Sequence, residues 1–132
     1  MTMTSNKPYL IRAIYDWIVD NELTPYILVN ALHSGVQVPR EHIIHGRIVL
    51  NISPAATRGL ILENDRIVFT ARFSGQTEQL FVPPAAVLEI YAKENGRGIA
   101  FEIEEEESPP PVSPGDGSDS ANKSKPSLKL VK

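Results

Sequence analysis

The aromatic residues of this 132-residue chain stop well before its end. One tryptophan, four tyrosines and four phenylalanines all lie between Tyr9 and Phe101. From Glu104 onward come four successive glutamates and then a stretch dominated by serine, proline, glycine, aspartate and asparagine. Such a composition buries too little apolar surface to offset the entropy of ordering the chain. We therefore expect a folded domain in residues 1–103, a disordered acidic and proline-rich linker in 104–127, and a separate short motif in 128–132.

The size and charge of the chain exclude several protein classes. A folded domain of about 103 residues buries roughly two thirds of the surface that its unfolded chain exposes, so it does not need disulfide bonds for stability. The absence of cysteine excludes disulfides, thiolate zinc sites and cysteine nucleophiles. The formal net charge of −3 argues against a basic nucleic-acid-binding domain. No hydrophobic signal core precedes Tyr9, and Arg12 and Asp16 interrupt the apolar stretch that follows, so we expect a cytoplasmic protein that is neither secreted nor membrane-spanning.

Signals for catalysis or metal binding are weak. His42 and His45 stand three positions apart in an expected exposed turn, without a convincing third ligand. Glu63 and Asp65 flank an expected turn, where solvated carboxylates are normal. The Gly-Arg-Gly stretch at 96–98 lacks the spacing of a phosphate-binding loop. We expect no catalytic residues, no metal and no cofactor, and hence a binding protein rather than an enzyme.

The first predicted element is a helix over residues 8–21. Ser5 and Asn6 are capping residues, and Pro8 suits the first helical turn. Polar residues recur every four positions in one narrow stripe, which leaves an apolar arc wider than one core contact needs. Either a loop or the protein's own sheet covers the extra face, or the helix packs against its twin in a symmetric dimer. For the favoured dimer, the predicted interface residues are Tyr9, Ile11, Tyr15 and Ile18.

After Pro25 the sequence changes to short β-rich runs separated by turn residues, which is typical of a small all-β barrel or sandwich. Residues 66–73 give the clearest alternation of apolar and polar positions. The spacing in 85–94 permits a helix or a strand, and we favour a helical turn followed by a strand. The remaining predicted elements are strands at 26–32, 36–38, 47–52, 78–82 and 99–103, with a helical turn at 53–56.

The chain ends on renewed apolar residues, in the segment 128–132. A random tail or a segment folded back on the body is one interpretation; a docking motif that binds a partner as an extended strand is the favoured one. A flexible linker over 108–127 would have an r.m.s. span of roughly 25 Å. Such a tether raises the effective concentration of a bound ligand at the partner to roughly millimolar. This arrangement is typical of an adaptor.

Seven segments carry a further signal, at 8–13, 23–25, 35–39, 48–52, 71–73, 91–96 and 126–132. Together they resemble the stringent starvation protein B family, SspB, over nearly the whole body and the terminal motif. The resemblance implies a small open Sm-like barrel that dimerises through its N-terminal helix. It also implies an adaptor that binds the ssrA degradation tag of stalled-translation products and delivers tagged proteins to the ClpXP protease. By the same resemblance, Leu128, Lys129, Leu130 and Val131 dock the zinc-binding N-terminal domain of ClpX.

The resemblance directs attention to a peptide groove. A tag of small and polar residues requires an apolar trough and groups that pair with its backbone. Asn51 is a strong candidate because an asparagine in an apolar strand needs a hydrogen-bond partner, although a bond to the nearby turn would also satisfy it. Small core residues are the alternative for Ala55 and Ala71. The predicted peptide-binding residues are Asn51, Ile52, Ala55, Ala71, Arg72, Phe73, Ser74 and Gln76.

Two other function classes stay open at this point. An Sm-like or ribosome-associated protein could bind RNA, but Arg66 and Arg72 in near-neutral surroundings give little support. A dimeric scaffold without a peptide ligand is the other class. Salt-sensitive RNA binding would favour the first, and a peptide pull-down separates the second from an adaptor.

Overall fold

The computed structural model describes residues 3–101 and the backbone of 128–131, so the predicted linker at 104–127 lies outside the described residues. The described residues form one α-helix, two short 3-10 helices and eight strands. In chain order these are α1 (Lys7–Asp20), β1 (Pro25–Asn30), a 3-10 helix (Arg40–His42), β2 (Arg47–Asn51), β3 (Arg58–Leu62), β4 (Ile67–Phe73), β5 (Gln76–Val82), a 3-10 helix (Pro84–Ala86), β6 (Val87–Ala92), β7 (Gly98–Phe101) and β8 (Leu128–Val131).

The strands form two open antiparallel sheets. The larger has the order β2-β1-β6-β7-β8, and the smaller has the order β3-β4-β5. Within the described residues neither sheet closes into a barrel. The prediction of a mainly β protein with one N-terminal helix and an open architecture is confirmed. Both sheets and the helix contribute to one apolar core, which includes Ile11, Ile27, Leu50, Phe69, Leu80 and Ile90.

The alternation in β4 places its side chains as the sequence predicts. Ile67 and Phe69 are buried in the core, whereas Val68 and Thr70 between them are half-buried. The strand ends in a two-residue turn at residues 74 and 75, which have φ angles of 52° and 82°. Positive φ at both turn residues matches the twist of a tight hairpin, so β4 and β5 form one continuous ribbon.

The helix packs on the core through a narrower face than its composition suggests. Ile11 and Ile18 are 1% and 2% exposed, two helical turns apart on the inner face. On another face, the Arg12 guanidinium donates to the Leu62 carbonyl at 3.2 Å and to Asn64 Oδ1 at 2.9 Å. The turn between β3 and β4 therefore covers part of the second face of the helix. No helix in the described part of the chain is long and apolar enough to cross a membrane.

Two elements differ from the sequence prediction. Strand β3 was not predicted; its pairing with β4 shifts register between Arg58 and Ile61, and Gly59 has a φ of 64° there. A bulge of this kind interrupts the alternation by which strands are recognised. The predicted edge strand at 36–38 reduces to an isolated bridge between Gln37 and Phe81. The ambiguous stretch 85–94 is a 3-10 turn followed by β6, as favoured.

The start of β1 is tied to the hairpin between β6 and β7. The Thr24 amide and hydroxyl donate to the two carboxylate oxygens of Glu94 at 2.8 and 2.6 Å. These bonds from Thr24 hold the pKa of Glu94 below its ordinary value. The exposed carboxylate is therefore used to fix one end of the larger sheet.

Candidate peptide-binding groove

Strand β4 continues past the end of its pairing with β3. The last pair on the β3 side joins Arg58 and Thr70, whereas β5 pairs with β4 as far as Phe73. Because a two-residue turn closes the β4–β5 hairpin, Phe73 directs its backbone groups toward β5, and Arg72 directs its N–H and C=O to the open side. Residues 71–73, which we call the β4 edge, have no strand partner on that side within the described residues. Such an edge is able to accept an extended peptide.

A groove of about 530 Å³ runs along the β4 edge. Small alanines and three threonines leave it shallow and offer hydroxyl groups for hydrogen bonds. Its volume lies in the range of sites that hold small ligands or short peptide segments. The lining residues are Ala55, Ala56, Thr57, Arg58, Thr70, Ala71, Arg72 and Thr77.

The turn after β2 forms the wall opposite the β4 edge. The Ala56 amide donates to the Ser53 carbonyl at 3.0 Å, and the Thr57 hydroxyl donates to the same carbonyl at 3.0 Å. Asn51 Oδ1 accepts from the Ser53 amide at 2.9 Å. These bonds close the turn on itself, so Ala55 is left exposed at the groove.

Within the part of the chain that the structure describes, the groove carries two guanidinium groups without a carboxylate partner. Arg58 and Arg72 are exposed, and neither forms an ion pair with another described residue. Arg66, by contrast, pairs with Glu63 at 2.9 Å. Guanidinium groups bind carboxylates in charge-assisted, often bidentate, hydrogen bonds. The electrostatics of the groove therefore favour a peptide that carries acidic side chains.

Of the predicted peptide-binding residues, the structure brings Ala55, Ala71 and Arg72 together in the groove. Asn51 lies beside it, but its side-chain oxygen already holds the turn, which is the structural alternative that the sequence left open. Ile52 does not line the groove: its side chain is 0% exposed, because its amide still pairs with the Pro25 carbonyl and turns the side chain into the core.

The other three predicted residues lie toward the hairpin end of β4. Phe73 is half-buried, and its ring lies 5.2 Å from the ring of His42. Ser74 and Gln76 are exposed in and after the turn. None of the three lines the groove. They follow the groove residues Ala71 and Arg72 along the chain, at the hairpin end of β4.

Sequence reasoning missed five groove residues: Ala56, Thr57, Arg58, Thr70 and Thr77. Thr70 lies in the predicted strand 66–73, where alternation places it on the same face as Arg72. Thr77 immediately precedes the predicted strand 78–82. Arg58 had no usable signal, because β3 itself was not recognised. A search for threonines next to Ala71 and Arg72 on paired strands would have found part of the set.

The outer face of α1 differs from the predicted dimer interface. Ile11 and Ile18 are buried in the core of their own chain, so neither contributes to the outer face of α1. Tyr15 is half-buried, and burial together with the charge of Asp16 raises its pKa. Three exposed non-acidic residues of α1 follow one another at intervals of four positions: Tyr9, Ala13 and Trp17. We call them the outer stripe.

Two basic side chains flank this outer stripe. The Arg12 guanidinium lies 4.7 Å from the Tyr9 ring centre, and that of Arg97 lies 5.8 Å from the Trp17 ring. Asn64 Nδ2 donates to the Tyr9 hydroxyl at 3.0 Å. Tyr9 and Trp17 are nevertheless 49% and 44% exposed. The stripe thus offers fixed aromatic surface to solvent.

These features define a small two-sheet β protein with one packed helix and a groove along a free strand edge. The chain belongs to the SspB family: the model of stringent starvation protein B matches residues 5–132. It is 54% identical over 99 residues to the stringent starvation protein B homolog of Haemophilus influenzae. That match covers 75% of this chain and 66% of the relative, so the chain spans just under two thirds of the relative's length. The family resemblance predicted from the sequence is confirmed.

Proposed function

We propose that this protein is an adaptor that binds the ssrA degradation tag in the groove along the β4 edge. In this proposal it is a cytoplasmic binding protein rather than an enzyme. Its C-terminal motif, residues 128–132, tethers the tagged protein to ClpX and so enhances degradation by ClpXP. Membership of the SspB family supports the proposal, and the open β4 edge beside a groove is the observation that carries it.

The groove offers a peptide two kinds of contact. The Arg72 backbone supplies one N–H and one C=O for strand pairing, each worth a net ~0.5–1.5 kcal/mol when satisfied. The small side chain of Ala71 leaves room for peptide side chains that point inward. The guanidinium groups of Arg58 and Arg72 would pair with acidic side chains in the bound peptide. Backbone pairing supplies affinity, and the fit of small and acidic residues supplies selectivity.

The adaptor acts as a homodimer in this account. The outer stripe of Tyr9, Ala13 and Trp17 places apolar surface on one side of α1, where a second copy of the helix could pack by two-fold symmetry. A dimer carries two grooves and two C-terminal motifs. Two motifs on one protease would increase avidity without any new contact.

The direct test measures binding of a fluorescein-labelled ssrA tag peptide by fluorescence anisotropy with the full chain. A scrambled peptide of the same composition is the matched control, because it has the same net charge. We expect saturable binding of one tag peptide per chain and binding of the scrambled peptide at least about tenfold weaker, a difference of about 1.4 kcal/mol. Equal affinity for the two peptides, or no binding of either, would contradict the proposal.

A further inference from the structure

The outer edge of β7 holds the C-terminal segment of the chain. Strand β8, residues Leu128–Val131, pairs antiparallel with all of β7, with Gly98 opposite Val131 and Phe101 opposite Leu128. On its other side β7 pairs with β6. Strand β7 is therefore an inner strand only while the C-terminal segment is in place. When that segment leaves, β7 becomes the edge of the larger sheet.

The backbone groups of β7 divide between its two neighbours. The Ala92 amide donates to the Arg97 carbonyl at 2.8 Å, which sets the alternation of the β6–β7 ladder. Two residues further on, Ile99 directs its N–H and C=O toward β6. Gly98 and Ala100 then direct theirs outward, to Val131 and Lys129. The outer edge of β7 is a row of donors and acceptors that the C-terminal segment satisfies.

We propose that the β7 edge is a second strand-docking surface, that its occupant is residues 128–131 of the same chain, and that pairing there withholds this segment from its partner. The second part rests on the proposed function, in which the same segment binds ClpX. A segment paired with the edge of a sheet has one of its two backbone edges already used. A partner that recognises the free segment must first displace it from β7.

The sequence of the connecting residues is compatible with this closure. Strand β7 ends at Phe101, and β8 begins at Leu128 directly opposite it. Neighbouring strands lie about 4.8 Å apart. The composition of 104–127 predicts a flexible linker, and a flexible chain of residues 108–127 alone would have an r.m.s. span of roughly 25 Å. The linker is thus long enough to return within one chain.

The expected strength of the effect follows from the fraction of chains in which β8 is docked. The apparent affinity for a partner falls in proportion to the fraction of molecules whose segment is free. If half of the segments are docked, the affinity is halved; if nine tenths are docked, it falls about tenfold. A four-residue strand forms a short ladder that opens readily. We therefore expect its release to increase partner binding by about two- to tenfold.

The experiment uses Ala100→Pro in the full chain, with Ala100→Ser as the matched control. Proline at this position removes the N–H that faces β8 and keeps the Ile99 groups that face β6, as edge strands tolerate. Serine keeps the N–H. Hydrogen exchange of the Gly98 amide, measured by NMR, reports docking without any partner. Affinity for the purified ClpX N-terminal domain reports competition, and deletion of 128–132 supplies the undocked reference for exchange.

We expect fast Gly98 exchange in Ala100→Pro and in the deletion, and slow exchange in the wild type and in Ala100→Ser. We also expect Ala100→Pro to bind the ClpX domain about two- to tenfold more tightly than Ala100→Ser. Equal Gly98 exchange with and without residues 128–132 overturns docking, and this comparison holds even if Ala100→Pro fails to fold. Equal ClpX affinity of the two variants overturns competition. If Gly98 protection depends on 128–132 but no form binds ClpX, docking on β7 stands and the proposed function fails.

Discussion

Gly98 in β7 lies so close to Ile90 in β6 that a β-carbon on Gly98 would overlap the Ile90 carbonyl oxygen. The α-carbon of Tyr91 is 2.6 Å from the same point. Both obstructing groups are backbone, so they cannot rotate away as a flexible side chain would. The close approach of β6 and β7 therefore depends on glycine at position 98.

This relationship predicts that Gly98→Ala is strongly destabilising. The added methyl group must push β7 away from β6, and overpacking of this kind costs about 1–3 kcal/mol of unfolding free energy or more. Urea denaturation measures the decrease in the free energy of unfolding. The matched control is Gly59→Asn, because a β-carbon at Gly59 meets nothing within 4 Å and asparagine tolerates its φ of 64°. Equal loss in the two variants would contradict the close packing.

The second prediction concerns the shallow floor of the groove. Ala71→Gln fills the space beside the β4 edge and should weaken binding of the tag peptide about tenfold or more, equivalent to about 1.4 kcal/mol. Ala55→Gln, on the opposite wall, should act in the same direction. Ala85→Gln is the control, because Ala85 is exposed and lies outside the groove.

Peptide anisotropy and the urea midpoint are measured on all three glutamine variants. Ala71 also packs against the core, so its stability is the necessary check, and exposed Ala55 gives a second route to the same result. Unchanged peptide affinity in both folded groove variants would place the binding site elsewhere.

The third prediction concerns charge in the groove. Arg72→Gln and Arg58→Gln should each raise the Kd for the tag peptide about fivefold, or roughly 1 kcal/mol, through loss of pairing with acidic side chains. Binding by the double variant should also depend less on salt than binding by the wild type. Arg47→Gln removes an exposed arginine of β2 and should change neither quantity. Equal effects of all three substitutions would indicate long-range charge rather than groove contacts.

The fourth prediction tests the dimer through the outer stripe. Ala13 is exposed in the single chain, so Ala13→Glu leaves the core of the protomer intact. In a helix-to-helix dimer the same change buries an unpaired charge, which costs several kcal/mol. Sedimentation should then show a folded monomer, whereas Ala85→Glu stays dimeric. A wild-type protein that sediments as a monomer at micromolar concentration would refute the dimer.

The sequence predicts the parts of the fold that follow from local periodicity. The alternation from Ile67 to Phe73 predicted β4 correctly, and turn residues predicted its hairpin with β5. Periodicity did not decide which arc of α1 faces its own core, because both arcs are apolar. Ile11 and Ile18 were therefore assigned to the outer face, although both are buried in the core.

The groove was only partly predictable, for a related reason. Ala71 and Arg72 lie on a strongly patterned strand, so they could be placed next to each other and beside a turn. Arg58 enters the groove only through its pairing with Thr70, across a bulge that hides β3 from pattern analysis. Ile52 faces the core because β1 holds its backbone, which is a contact between distant parts of the chain.

The measurement that tests the adaptor account most directly is degradation of an ssrA-tagged fluorescent reporter by purified ClpXP, at a reporter concentration below the protease's own KM. The full chain should accelerate degradation, because the tether raises the local concentration of the reporter to roughly millimolar. A chain that lacks residues 128–132 should bind the tag normally but slow degradation to the rate without adaptor or below it, since it sequesters the reporter. Ala71→Gln should lose most of the acceleration through weaker tag binding. If the chain without residues 128–132 accelerates degradation as well as the full chain does, the body itself contacts the protease and the tether account is wrong.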